Sequence, residues 1–196
     1  ILPEANSQAL HVAGALPHNE MIKDVKPGLD AKTVWEEQLR AYVLMNIEPE
    51  FDCSNPSAAQ LALQRAGFVV AINSFHCNSL HEYADVLLPL AAFAETSGTF
   101  VGLDHQWQSF TGAVAPPGES RPGWKILRVL GNISKFNGFD YVSSEGVRQE
   151  LQDQLNRHSP VKHGLYIPAE ISQADGLQLI SEVPIYRTDS LVRHSK

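Results

Sequence analysis

Residues 42–72, YVLMNIEPEFDCSNPSAAQLALQRAGFVVAI, decide the fold. Tyr42-Val43-Leu44-Met45 is a short apolar run bounded by polar residues and Pro49, the pattern of a buried strand. Asn55 precedes Pro56, a capping residue followed by the one residue whose missing N–H costs nothing in a first helical turn. The helix so begun carries Leu61 and Leu63 toward Gly67, and Phe68-Val69-Val70-Ala71-Ile72 is a second buried strand. Strand, helix and strand within about 30 residues make a βαβ unit, which predicts a parallel sheet.

Working outward, Asn78 caps a short helix through Tyr83, and Val86-Leu87-Leu88 reads as a third strand stopped by Pro89. Ligands of open α/β sheets sit beyond the carboxyl ends of the strands, so a site is expected in the loops 47–55, 73–78 and 90–103. Gln106 to Phe110 reads as extended and Pro116-Pro117-Gly118 as a rigid turn. Trp124 to Ile133 reads as a helix that buries Trp124, Leu127 and Leu130 on one face, and another helix starts at Ser144. The expected fold class is α/β, a Rossmann-like parallel sheet with flanking helices. The expected division is a connecting segment over 1–40, the α/β domain over 41–158, and an irregular, extended C-terminal segment over 159–196. Within that last segment the apolar pieces 177–180 and 183–186 are expected to pack on the domain or on a partner.

The composition narrows the function. A net charge of −7 without a basic stripe leaves counterion release no source, so nucleic acid is not an expected partner. The longest apolar stretch, Val86 to Ala94, is broken by Pro89 and falls far short of the roughly 20 residues that span a bilayer, so direct membrane insertion is not expected. Cys53 and Cys77 cannot supply the four thiolates of an iron–sulfur cluster. Ile1 in place of Met reads as the start of a piece cut from something longer.

Three constellations bear chemistry-competent side chains. Glu48-Pro49-Glu50-Phe51-Asp52 sets three carboxylates directly after a strand; the proline makes a solvated acidic turn the favoured reading over an acid–base, metal or ribose site. His76, Cys77, His81 and Glu82 carry soft-ligand chemistry, but their spacing matches no established zinc finger and an intervening helix is expected to separate the histidines. No metal site is therefore expected. Glu95-Thr96-Ser97-Gly98-Thr99-Phe100 is a polar loop in which Gly98 allows close backbone approach and the hydroxyls can bond a polar ligand. There is no GxSxG, GxxxxGK[ST] or GxGxxG string, which removes the commonest hydrolase, NTPase and dinucleotide readings, and no catalytic residue is expected.

Tyr83-Ala84-Asp85-Val86-Leu87-Leu88-Pro89, then Phe93-Ala94-Glu95-Thr96-Ser97-Gly98-Thr99-Phe100, then Pro117-Gly118-Glu119-Ser120-Arg121-Pro122-Gly123-Trp124-Lys125-Ile126 occur in that order. Together they resemble the molybdopterin oxidoreductase family, which reads ADVVLP, E-x-x-GT and P-x-GE-x-R-x-W-x-I. Within that family the chain is similar to the large iron–sulfur "G" subunit of bacterial NADH:quinone oxidoreductase (complex I). That likeness rests on Tyr42-Val43-Leu44 leading into Glu48-Pro49-Glu50, on Trp107-Gln108-Ser109-Phe110, and on Val183-Pro184-Ile185-Tyr186 with Asp189, Leu191, Val192 and Arg193.

The resemblance implies a structural relic of an enzyme domain. Its partners would be the other peripheral-arm subunits of complex I, on the cytoplasmic side of the bacterial inner membrane, with iron–sulfur clusters held elsewhere in the full-length subunit. Pterin-holding members continue N-x-EGR after the GT string, whereas this chain has Val101-Gly102-Leu103-Asp104-His105-Gln106, without the arginine fork suited to a pterin phosphate or carbonyl. Thr96, Ser97, Gly98, Thr99 and Asp104 are thus expected to be a vestigial pterin loop that binds no cofactor. The alternative is an active molybdopterin-dependent oxidoreductase domain in which those five residues line the pterin.

Overall fold

The computed structural model describes residues 6–17, 28–157, 184, 187 and 189–195. The contacts divide the chain into two units, residues 1–159 and 160–196.

In the first unit, β1 (Ala41–Met45), β2 (Phe68–Asn73) and β3 (Val86–Pro89) form a parallel sheet in the order β1-β2-β3. Between β1 and β2 run α3 (Pro49–Asp52) and α4 (Pro56–Arg65); between β2 and β3 lies a 3-10 turn, Asn78–Glu82. The start of α4 follows from its sequence: Pro56 opens the first turn and the Asn55 side chain accepts from the Ala58 N–H at 3.1 Å. Ahead of the sheet, within residues 1–40, are α1 (Ser7–Val12) and α2 (Thr33–Glu36). Beyond it come the antiparallel hairpin β4 (Gly98–Val101) and β5 (Trp107–Phe110), then α5 (Gly123–Ile133) and α6 (Ser144–Arg157).

Strand alternation sorts the sheet into two faces. Tyr42, Leu44, Val69 and Ala71 form one buried cluster with Leu63 of α4, Leu80 and Tyr83. Trp35 stacks on Tyr42 with ring centroids 5.6 Å apart, and the Tyr42 hydroxyl lies 3.2 Å from the Val34 and Glu37 carbonyls, which ties α2 to that face. On the other face Val43, Val70 and Val86 stand in one cross-strand row, and Met45, Ile72 and Leu88 in the next. The helix α5 lies over this second face and leaves a groove of about 580 Å³ lined by Val43, Val70, Leu88, Ile126, Val129 and Ile133. Asp85 of the Tyr83–Pro89 motif locks the start of β3: its N–H donates to the Val69 carbonyl at 2.9 Å and its carboxylate accepts from the Val69 N–H at 2.7 Å.

Two expectations are corrected. The loop 47–55 holds α3, and Glu48 is only 2% exposed rather than solvated. There the Glu48 N–H donates to the Asp52 carboxylate at 2.7 Å, closing a short helical turn that Pro49 begins. On α5, Leu127 and Leu130 remain 40% and 46% exposed and Trp124 is half-buried, Leu130 standing at the open groove between α5 and the sheet.

In the second unit the described residues hold a short helix, α7 (Ser190–His194), nucleated by the Asp189 side chain accepting from the Val192 N–H at 3.1 Å. Residues 177–180 and most of 183–186 lie outside the described residues.

Candidate functional site

The chain leaving β3 is held in place by Arg121. Leu90 bridges Arg121 in parallel fashion, the Ala91 N–H donates to the Arg121 carbonyl at 2.9 Å, and the Arg121 N–H donates to the Pro89 carbonyl at 3.2 Å. Beyond this join opens a cleft of about 430 Å³ lined by Glu95, Ser97, Arg121, Trp124, Ser144 and Glu145. It lies past the carboxyl end of β3, where a ligand of an α/β sheet is expected. Of the expected site residues only Ser97 lines this cleft; Glu95 belongs to the same polar loop, Arg121 and Trp124 are motif residues, and Ser144 and Glu145 have no site role in the sequence reading. These enter from the first turn of α6, which no local pattern relates to the β3 end.

Most of the cleft's polar groups are already engaged. The Arg121 guanidinium donates to the Ser120 carbonyl at 2.8 Å and the Gly118 carbonyl at 3.3 Å, so it braces its own turn rather than pairing with Glu119. Lys125 lies over the Trp124 ring, 5.4 Å from its centroid. Glu95 accepts from the Ala92 N–H at 2.9 Å. Hydrogen bonds from its own N–H and from Ser143 hold the Glu145 carboxyl below the usual range.

The five residues of the expected pterin loop do not converge on one point. Thr96 Oγ1 donates to the Ser97 carbonyl at 3.2 Å, and Ser97 Oγ accepts from the Gly112 N–H at 3.4 Å. Thr99 Oγ1 lies 3.0 Å from Ser109 Oγ across the hairpin, and Arg148 of α6 donates to that same Ser109 hydroxyl. Gly98 stands opposite Phe110; a Cβ placed there would lie 2.8 and 2.9 Å from two atoms of the ring. The aromatic ring over it, rather than a ligand, therefore explains the glycine.

Asp104 is at the hairpin tip, where its carboxylate accepts from the Gln106 N–H at 3.2 Å. The tip is closed by Gly102 N–H to Gln106 carbonyl and His105 N–H to Gly102 carbonyl bonds, both 2.9 Å, with His105 in the left-handed region at φ 63°. The outer edge of β4 is tied off by Asn6, whose side chain donates to the Thr99 carbonyl at 3.2 Å and accepts from the Val101 N–H at 3.0 Å.

These observations test the segment against the cofactor that its motifs imply. A pterin carries many donors and acceptors and, with its phosphate, a negative charge, so it calls for free backbone groups and a forked cation. Here the loop's side chains bond nearby backbone groups and Ser109, and the tip that would carry the arginine is a closed turn. The residues present do not fit the group.

The other constellations are also resolved. Burial pushes the thiols of Cys53 and Cys77 up, with Asp52 adding to the effect at Cys53, which favours the thiol over the thiolate at each. Burial, with Glu50 next, likewise raises Tyr83. The 3-10 turn does not separate His76 and His81, as the sequence led one to expect; their Nε2 atoms lie 2.6 Å apart. Among the described residues no group of three or more His, Cys, Asp or Glu side chains could hold a metal ion.

A Rossmann-like α/β domain with a cleft past its strand ends defines the class. The sequence pattern of the molybdopterin oxidoreductase family matches residues 5–133, and the chain belongs to that family. It is 29% identical over 133 residues to a nitrate reductase of Synechocystis, covering 64% of this chain and 18% of that protein. It is 26% identical over 148 residues to a Staphylococcus aureus protein assigned to the formate dehydrogenases (76% and 14% covered), and 29% identical over 116 residues to the assimilatory nitrate reductase catalytic subunit of Bacillus subtilis (59% and 16%). The chain thus spans less than a fifth of the length of these curated relatives. None of the three is named as a complex I subunit.

Proposed function

We propose that this chain is a non-catalytic, structural domain of the large iron–sulfur G subunit of a bacterial NADH:quinone oxidoreductase. In that reading it braces the peripheral arm against neighbouring subunits on the cytoplasmic face of the inner membrane, while clusters elsewhere in the parent carry electrons from NADH toward quinone. The observation that carries this reading is the β4–β5 tip. Val101-Gly102-Leu103-Asp104-His105-Gln106 closes on itself through backbone and Asp104 bonds, where pterin-holding relatives carry N-x-EGR. The resemblance of Tyr42-Val43-Leu44 with Glu48-Pro49-Glu50, and of Trp107-Gln108-Ser109-Phe110, to the G subunit supports the same reading.

A second reading, an active molybdopterin-dependent oxidoreductase domain, is favoured by the names of the relatives, which are nitrate reductases and a formate dehydrogenase. Purifying the parent through an affinity tag separates the two. The expected result is co-purification with a membrane-associated assembly that oxidises NADH and reduces quinone. A stand-alone protein that reduces nitrate or oxidises formate would overturn the proposal.

A further inference from the structure

The turn after β2 carries two histidines that the cleft does not use. His76 leaves the strand three residues after Asn73, and His81 stands near the end of the 3-10 turn that begins at Asn78. Their rings are 4.6 Å apart between centroids and inclined at 56°, with the two Nε2 atoms facing each other at 2.6 Å. Both side chains are exposed, yet the backbone beneath them is anchored, because Ile72 and Leu80 are each 1% exposed. In the hydrogen bond one Nε2 donates its N–H to the lone pair of the other; with both rings in the Nδ1–H tautomer, both Nε2 lone pairs are open to a metal ion.

We propose that His76 and His81 form an open two-imidazole site for a divalent transition metal of tetragonal preference, Cu2+ first and Ni2+ second. The spacing selects the geometry. With metal–nitrogen bonds of about 2.0 Å, two imidazoles at a right angle place their nitrogens about 2.8 Å apart, and at the tetrahedral angle about 3.3 Å apart. The observed 2.6 Å lies near the first value, so a small outward rotation of two exposed rings admits a square-planar ion, whereas zinc needs a larger one. Ligand strength orders the metals the same way, with Cu2+ above Ni2+ and zinc.

Cys77, between the histidines in sequence, is half-buried and forms no three-ligand group with them. With no third His, Cys, Asp or Glu completing a group among the described residues, the remaining coordination positions fall to solvent or a small exogenous ligand.

The test is a titration of the chain with Cu2+ alone in a non-coordinating buffer, by calorimetry and electron paramagnetic resonance, for wild type, His76→Ala, His81→Ala and the double variant. Wild type takes one tight equivalent with a tetragonal spectrum coupled to two nitrogens, and binds Zn2+ at least roughly tenfold more weakly. Each single substitution weakens the first equivalent by roughly tenfold or more, and the double variant loses it, with far-ultraviolet circular dichroism unchanged because both side chains are exposed. A first equivalent that persists in the double variant, or that is absent from wild type, overturns the proposal.

Discussion

Replacing Leu63 with Ala is expected to lower the unfolding free energy by about 3–5 kcal/mol, read as a fall in the urea midpoint at unchanged slope. Leu63 sits on the inner face of α4, is 1% exposed, and belongs to the cluster that joins β1, β2 and the 3-10 turn before β3. Truncation removes its transfer energy and leaves a cavity between elements that cannot close, because two parallel strands fix the distance beneath it. Leu61, two residues away on the opposite side of α4 and 46% exposed, is the internal control. Its replacement by Ala is expected to cost less than about 1 kcal/mol. Equal losses at the two positions would place the core elsewhere.

Replacing Gly98 with Ala is expected to cost about 1–3 kcal/mol, more than the roughly 0.4–1 kcal/mol recovered by stiffening the unfolded chain. The new methyl group would meet the Phe110 ring at 2.8–2.9 Å. That ring cannot swing freely, since it is packed with Phe93 and Phe100 at centroid distances of 5.0 and 5.4 Å. Adding Phe110→Ala should therefore make the Gly98 substitution nearly neutral, a coupling that a double-mutant cycle measures. If Gly98 instead keeps space for a ligand, Gly98→Ala would leave the stability of the ligand-free chain unchanged.

The parallel sheet was legible because each strand is a short apolar run and α4 announces itself through Asn55 and Pro56. The hairpin partner β5 was visible as a loose alternation at Gln106–Phe110, of which Trp107–Phe110 forms the strand. What failed to show depends on partners remote in sequence. The Glu48–Asp52 stretch looks like an acidic surface turn, and only its first two residues, Glu48 and Pro49, are buried, where α3 packs beside α4. The facing of His76 and His81 depends on the angle at which a 3-10 turn follows an irregular loop, which spacing alone does not give. Asn6 closes the edge of β4 from 95 residues away, and Ser144 and Glu145 reach the cleft from a helix whose own periodicity says nothing about its neighbours. The motif residues were readable as a family signature, while the role of several of them, Asp85 locking β2 to β3 and Arg121 bracing its turn, emerged only from their hydrogen bonds.

On the proposed reading this domain keeps the fold of a pterin enzyme without its donor set. Elemental analysis of the purified full-length parent for molybdenum and tungsten, with iron determined in the same sample, tests it most directly. The account predicts iron at cluster stoichiometry and neither molybdenum nor tungsten above trace. About one molybdenum or tungsten per parent chain, released together with a fluorescent oxidised pterin, would contradict it.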